Sequence, residues 1–446
     1  MTTSSSLPPD PKLILELRAA ARAIFDHALA ECNVARAFAR EVHFDNGVLR
    51  LAGDDYELAR FSCQAVVSIG KAAHSMAEAF AQAVPAKLEG IVSCPAMPPQ
   101  PVAGLRYFVG GHPMPNDDSL RAGKAILELL RGLPMDALVL FFISGGASAI
   151  AEWPLDETLT LSDIIATNRV LVHSGAPIAE INAIRKHLSA VKGGRMAQAA
   201  SPRTQVSLLI SDVPDHALDA LASGPTMPDS STTDDCYAIA QRYDMRANFP
   251  APVRAIFATH ALLETPKAGD ATFDHSRFVT LLSNQTAVNA AVERARALGF
   301  SVEVDNSCDD WDYSRAADYL VERLRQLRLR STRLCLISGG EVTVKVGASS
   351  GEGGRNQQFA VYCSQKIAGE AVTVLSAGTD GIDGNSPAAG ALVDGTSVAR
   401  AGQAGFDAAR ALNEFNVFPL LEAIGDAIVT GPTGNNVRDL RILLAY

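Results

Sequence analysis

QAVVSIG (residues 64–70) runs directly into KAAHSMAEAFAQAV (71–84): an apolar run, a glycine, then residues with helical spacing. The same grammar recurs as ALVLFFI (137–143) before SGGASA, VSLLI (206–210) before SDVPD, RLCLI (333–337) before SGGEVTV, and VTVLSA (372–377) before GTDGIDG. Apolar runs without polar alternation are strands buried on both faces, and helices between them supply the cover. The expected fold is α/β with two domains, each a largely parallel sheet flanked by helices. Ligands in such sheets sit at the carboxyl ends of the strands, where these Gly, Ser, Lys and Asp residues fall.

Upstream of this stretch, Ile14, Leu17, Ala21, Ile24 and Ala28 share one stripe between Leu13 and about Val42, which predicts an amphipathic helix covering a sheet. Asn46-Gly47 between apolar flanks predicts a type I′ hairpin. Downstream, Ser162 is placed to cap a helix, Pro177 to open another through Leu188, and GGRMAQAA to open a third. Residues 227–267 read as a connection holding one or two helices. FVTLL (278–282), a helix and a strand at 301–304 then read as a fresh βαβ start. The division that follows is a domain over 1–240, a connection over 241–275 and a second α/β domain over 276–446.

With 446 residues, 48% hydrophobic and 20% charged, the chain is long enough for two or three buried cores and too apolar for a disordered or coiled-coil protein. Its apolar runs stop far short of the ~20 residues that span a membrane, and MTTSSSLPPDPK lacks the basic-then-apolar pattern of a signal peptide. A cytoplasmic protein without a membrane partner is expected. Seven scattered cysteines with no CxxC oppose a disulfide framework or a zinc site. A net charge of −10 opposes nucleic-acid binding, so an anionic substrate needs locally placed Lys, Arg or N–H groups.

Such groups are present. Gly70 turns the chain so that Lys71 falls at a helix start, where an anion is already favoured; the alternative is a solvated lysine in a tight turn. Ser144-Gly145-Gly146-Ala147-Ser148 and Ser338-Gly339-Gly340-Glu341 each place two glycines after a strand, a backbone suited to phosphate, although either one alone also fits a plain turn. Gly351-Glu352-Gly353-Gly354-Arg355 surrounds one planar fork with flexible backbone. Arg185, Lys186 and Lys192 load positive charge onto an acidic chain, which solvated helix faces also explain. Asp212, Asp380 and Asp383 follow strands, where carboxylates hold Mg²⁺, orient a hydroxyl or simply cap a turn.

Taken with VSIGKAA, GGHPMPNDDSLRAG, NAIRKHLSAVKGGRMA, GEGGRNQQ and TGPTGNNVRDL, in order from about Val66 to Leu440, the sequence resembles the glycerate 2-kinase family with a C-terminal MOFRL domain. Many members of that family carry a hydroxypyruvate reductase label. The resemblance implies a MOFRL region at about 330–440, an active site in the cleft between two domains, and transfer of the γ-phosphate of ATP, with Mg²⁺, to the 2-hydroxyl of D-glycerate. It carries functional importance onto Lys71 and Arg355. Asn435 stands where a Thr is more usual, and Asp212 matches the family better than Asp215.

The remaining roles are inferred from chemistry. Ser144, Gly145, Gly146, Ser148, Gly339, Gly340, Glu341, Gly353 and Gly354 would hold ATP, and Asp212 its metal. Arg185, Lys186 or Lys192 would bind the glycerate carboxylate, and Asp380 would orient the hydroxyl. A homodimer is compatible with this reading. A nicotinamide-dependent reductase would need GxGxxG after a strand with an acidic residue ~20 positions on, and the sequence has none. A non-catalytic sugar-phosphate-binding module is the third alternative.

Overall fold

The computed structural model describes residues 10–346 and 351–446; the first nine residues of the polar tail and the side chain of Asp215 lie outside that description. The chain divides into two compact units, Val34–Leu281 and a second made of the residues up to Asn33 with Leu282–Tyr446.

In the middle unit, strands β1 (Val42–Asp45), β2 (Val48–Leu51) and β3 (Asp54–Glu57) form an antiparallel sheet. Asn46 and Gly47 both take positive φ, 50° and 80°, as the type I′ turn requires. Strands β4 (Gln64–Ile69), β5 (Glu89–Cys94), β6 (Leu105–Val109), β7 (Leu138–Ser144), β8 (Thr204–Ile210) and β9 (Ser276–Leu282) build the main sheet in the order β6-β5-β4-β7-β8-β9. Every pairing from β6 through β8 is parallel. All seven residues of β7 are buried. Phe141 and Ile143 pack with Ile126 and Leu130 of helix Asp117–Gly132 on one face. On the other, Phe142 meets Phe38 and Phe80 at centroid distances of 5.7 and 5.2 Å. Each such side chain stabilises the sheet by about 1.5–3 kcal/mol.

Between β7 and β8, helix Leu161–His173 is capped by Thr160, not Ser162. The Thr160 side chain accepts from the N–H of Asp163 and Asp163 answers to the N–H of Thr160, so a capping box fixes the start two residues earlier than a lone serine would. Pro177 precedes helix Ile178–Leu188 as expected, and helices Thr233–Arg242 and Ala251–Ala258 fall within the connection.

The second unit contains β10 (Ser301–Val304), β11 (Leu334–Gly339), β12 (Val372–Gly378), β13 (Gly390–Asp394), β14 (Ala427–Ile428) and β15 (Asp439–Ala445), in the order β10-β11-β15-β12-β13-β14. Only β10 and β11 pair in parallel; β15 runs antiparallel between β11 and β12, and β13 is antiparallel to β12 and β14. The expected largely parallel second sheet is therefore corrected to a mixed, mainly antiparallel one. A largely apolar run such as LRILLA reports burial on both faces but carries no information about strand direction.

Two further differences concern the division of the chain. Helix Pro11–Glu31 buries its expected stripe, but against Val288, Ala291, Leu375 and Ile442 of the second unit. Arg18 on that helix pairs with Asp394 and Asp426 at 2.6 and 2.8 Å. β9 lies beside β8 in the middle unit, so the later unit starts at Leu282 instead of at 276. An amphipathic stripe says that a helix covers a sheet, not which one, and a strand-helix-strand pattern does not say that both strands share a sheet. Among the described residues no helix is long and apolar enough to cross a membrane. All seven cysteines are free thiols.

Candidate active site

In the middle unit the site begins at the carboxyl ends of β4 and β7. Gly70 has φ 118°, and a side chain there would strike Ser144. The Lys71 N–H donates to the Gly145 carbonyl at 2.9 Å, and the Ala72 N–H donates to Ser144 Oγ at 3.0 Å. Helix Ala73–Ala83 starts behind Ala72 as its N-cap, so Lys71 precedes the helix by two residues. The Lys71 side chain is exposed and forms no ion pair with a described residue. A Cβ on Gly146 would come within 2.9 Å of His112 Cδ2 and 3.2 Å of Lys71 Cγ, so both side chains flank this glycine. Burial, and then the charge of Lys71, hold the His112 imidazole below its ordinary pKa.

A cavity of about 170 Å³ opens here, lined among others by His112, Gly146, Ser148, Glu152, Arg185 and Lys192. Ser148 Oγ meets Ser223 Oγ at 2.9 Å. Lys192, 2% exposed, is paired with Glu152, whose Oε1 also accepts from Ser189 Oγ at 2.5 Å. Burial lowers the Lys192 pKa and Glu152 opposes the shift. Arg185 Nε donates to Asn168 Oδ1 at 2.9 Å. Removing one partner of a buried pair strands the other charge, so Lys192→Met is expected to destabilise the fold by about 3–5 kcal/mol, and adding Glu152→Gln to recover most of that loss. Denaturant unfolding of the single and double variants checks this; a double variant no more stable than Lys192→Met contradicts it.

Of the three cations expected to serve a substrate, Arg185 and Lys192 line this cavity and Lys186 does not. Lys186 Nζ is 3.0 Å from both Asp219 and Asp229 and is buried between them. Residues 185 and 186 adjoin in sequence but leave the helix in directions 100° apart, which charge counting does not register. Asp212 stands against the glycine turn: a Cβ on Gly145 would strike its carboxylate.

In the second unit, the turn after β11 is already satisfied by its neighbours. The Gly339 N–H donates to Asn306 Oδ1 at 2.8 Å, and the Glu341 N–H to Asp309 Oδ1 at 2.9 Å. Arg438 grips the same Asp309 at 2.6 and 2.8 Å. The two glycines are needed for close approach, since a side chain on Gly340 would lie 2.6 Å from Asp309 Oδ1, and the N–H groups on either side of Gly340 are spent on those side chains. A phosphate cradle at Gly339 and Gly340 would thus have to draw on donors other than the N–H groups of Gly339 and Glu341.

Gly354 is the N-cap of helix Arg355–Lys366 and has no room for a side chain beside the Asp383 carboxylate. The Gly353 N–H donates to Asn385 Oδ1 at 3.0 Å. Arg355 is thus the first residue of a helix and not part of a loose loop. Its Nε and Nη2 engage Asp439 at 2.6 and 3.0 Å, and Nη2 lies 2.7 Å from Glu341. A cavity of about 740 Å³ is lined by Glu341, Gly353, Gly354, Arg355, Asp380 and Asp383, with Val342, Ile382 and Phe415 as apolar wall. Burial and then Asp439 push the Glu341 carboxyl upward against the opposing charge of Arg355. Asp380 Oδ1 accepts from the Ile382 N–H at 3.1 Å.

Asp383 is 2% exposed and accepts from the N–H groups of Asn356 and Gln357 at 3.1 and 2.9 Å. Burial and then Asp439 raise its pKa to about 6. With the folded value above the ordinary one, the group's contribution to stability is complete below about pH 4 and is lost as pH rises to about 6. The stability of wild type relative to Asp383→Asn is expected to fall across that window and level off above it. Denaturant unfolding along a pH series checks the sign; a difference that grows over the window contradicts it.

His112, Glu152, Asp309 and Asp439 are the residues that sequence reasoning missed. Two of them lie in the quoted strings GGHPMPN and NNVRDL, while Glu152, a lone acid after ASAIA, has no local signal. Among the described residues no three His, Cys, Asp or Glu side chains gather to hold a metal ion. Mg²⁺ carried by a nucleotide asks for less, one or two carboxylates beside phosphates and water, and a single carboxylate such as Asp212 fits that smaller demand.

Comparison with known proteins assigns the two parts separately. Residues 20–258 match a domain family described as of unknown function, DUF4147, and residues 334–439 match the MOFRL family. A D-glycerate 2-kinase of Thermotoga maritima is 35% identical over 84% of this chain and 89% of its own length. An Agrobacterium vitis protein bearing a hydroxypyruvate reductase label is 37% identical, covering 85% of this chain and 86% of its own. The crystal structure titled glycerate kinase from Thermotoga maritima superposes with a TM-score of 0.85 at 31% identity, covering 97% of this chain and all of that one. With its motifs in order along both units, the chain belongs to the glycerate 2-kinase family that carries the MOFRL region.

Proposed function

We propose that the protein transfers the γ-phosphate of ATP to the 2-hydroxyl of D-glycerate, forming 2-phosphoglycerate and ADP. The observation that carries this reading is the small cavity in which the cations Arg185 and Lys192 converge beside the exposed Lys71, within a chain of this family. Arg185 and Lys192 bind the substrate carboxylate, and the cavity's size selects a three-carbon acid. Lys71 offsets charge on the transferring phosphoryl group, as does Arg355. Gly145, Gly146 and Ser148 supply N–H groups of a short helix start, Ala147–Ile150, to phosphate oxygens, and Gly353 and Gly354 let the nucleotide approach the backbone. Asp380 orients the 2-hydroxyl. Mg²⁺, when bound with the nucleotide, offsets phosphate charge, and Asp212 would hold it. The partners are small molecules, and ATP dependence agrees with a cytoplasmic enzyme.

The hydroxypyruvate reductase label on a relative makes one assay decisive between classes. Purified protein is expected to release ADP from ATP only when D-glycerate is present, and to leave NADH unoxidised with hydroxypyruvate. Oxidation of NADH without glycerate-dependent ADP release would overturn the proposal; binding of sugar phosphates with neither activity would favour the non-catalytic reading.

A further inference from the structure

Arg441 lies within β15 with none of its side chain exposed. Nη2 donates to the Gly339 carbonyl at 2.8 Å and is 3.5 Å from Ser338 Oγ, while Nε and Nη1 have no hydrogen-bond partner among the described residues. The guanidinium carbon sits 5.8 Å from the centre of the Phe359 ring. A cation buried this way is costly. Packing stability therefore gives no reason for an arginine here.

Its neighbours do. Side chains two apart on a strand share a face, which puts Asp439 and Arg441 on the same side of β15. Asp439 is the foremost negative charge acting on Arg441, is 1% exposed itself, and is the carboxylate that takes both Nε and Nη2 of Arg355. Gly339, whose carbonyl Arg441 holds, opens the turn to Glu341, the other carboxylate on Arg355. The strand register pairs Ser338 with Arg441 and Gly339 with Leu440, so these contacts are fixed by the sheet. One buried cation thus stands on the strand face of one acid that orients Arg355 and holds the turn that carries the other.

We propose that Arg441 is a positioning residue: it fixes the Asp439 carboxylate and the Ser338–Glu341 turn, and through them the fork of Arg355. The inference rests on the reading that Arg355 serves phosphoryl transfer. Arg441 touches no substrate, so its loss acts through Arg355 alone.

The test compares wild type, Arg441→Met, Arg441→Lys, Arg355→Lys and the Arg441→Met/Arg355→Lys double variant. In wild type the Arg355 Nε–H proton, identified by NMR through its loss in Arg355→Lys, is expected to exchange slowly with water. In Arg441→Met it is expected to exchange at least about tenfold faster, with some loss of melting temperature because the buried Asp439 loses a neighbouring cation. Arg441→Lys, which keeps charge without the fork, is expected to fall between the two. In glycerate turnover, Arg441→Met is expected to lose about tenfold or more in kcat with little change in the glycerate KM, and to add almost nothing to Arg355→Lys. An unchanged Arg355 signal in folded Arg441→Met, or full additivity with Arg355→Lys, overturns the proposal. So does failure of Arg441→Met to fold while Arg441→Lys folds with an unaltered Arg355 signal. Should wild type turn over no glycerate, the functional reading fails, and the exchange measurement still decides whether Arg441 positions Arg355.

Discussion

Arg355→Lys is expected to lower kcat by about a hundredfold or more while the glycerate KM changes little. The magnitude is that of losing one preorganised charge-stabilising group, and the split follows from a partner that gains charge only as the reaction proceeds. The geometry makes the substitution more severe than a same-charge exchange suggests. Nε and Nη2 are held by Asp439, and Nη2 also by Glu341, so the planar fork is oriented before any ligand arrives. A lysine ammonium can satisfy one of these carboxylates but cannot hold the fork's plane. Asp439 is almost fully buried, so the lysine variant also leaves a buried acid less well paired, and a lower melting temperature is expected with the lost turnover. Steady-state kinetics with both substrates varied check the assignment. A raised glycerate KM at unchanged kcat would make Arg355 a carboxylate binder, and a lowered melting temperature with normal kcat would make its clamp purely structural.

Lys71→Ala is expected to cost a similar hundredfold or more in kcat with almost no change in melting temperature. Its side chain is exposed, has no ion-pair partner among the described residues, and follows a glycine turn that its own backbone N–H helps to fix through Gly145. Alanine keeps that backbone donor and removes only the ammonium. His112 supplies an internal check, because Lys71 is one of the two influences holding its imidazole pKa down. In the alanine variant the His112 titration is expected to move upward, confirming by NMR that the lost charge faced this site. Near-normal turnover together with that upward shift would show that the charge reaches His112 but not the chemistry.

Where burial and turn chemistry decide, the sequence was legible. The strand runs, the Asn46-Gly47 hairpin and the stripe Ile14, Leu17, Ala21, Ile24 and Ala28 all appear as read. Direction and partnership were not legible, because β15 inserts antiparallel between β11 and β12 through contacts that LRILLA does not encode locally. At the site, glycine pairs looked alike after β7 and β11. What separates them is Asn306 and Asp309, more than thirty residues before the second turn, which occupy its N–H groups. Likewise nothing adjacent to Lys186 announces Asp219 and Asp229, and nothing adjacent to Arg355 announces Asp439. Long-range pairing of charges is set by the fold, so charge counted along the chain marks candidates but does not sort them.

The most direct test of the central claim is the phosphorus NMR spectrum of the product formed from ATP, Mg²⁺ and D-glycerate. The account predicts a resonance of 2-phosphoglycerate growing in step with ADP and absent when glycerate is omitted; predominant 3-phosphoglycerate, or free phosphate alone, would contradict it.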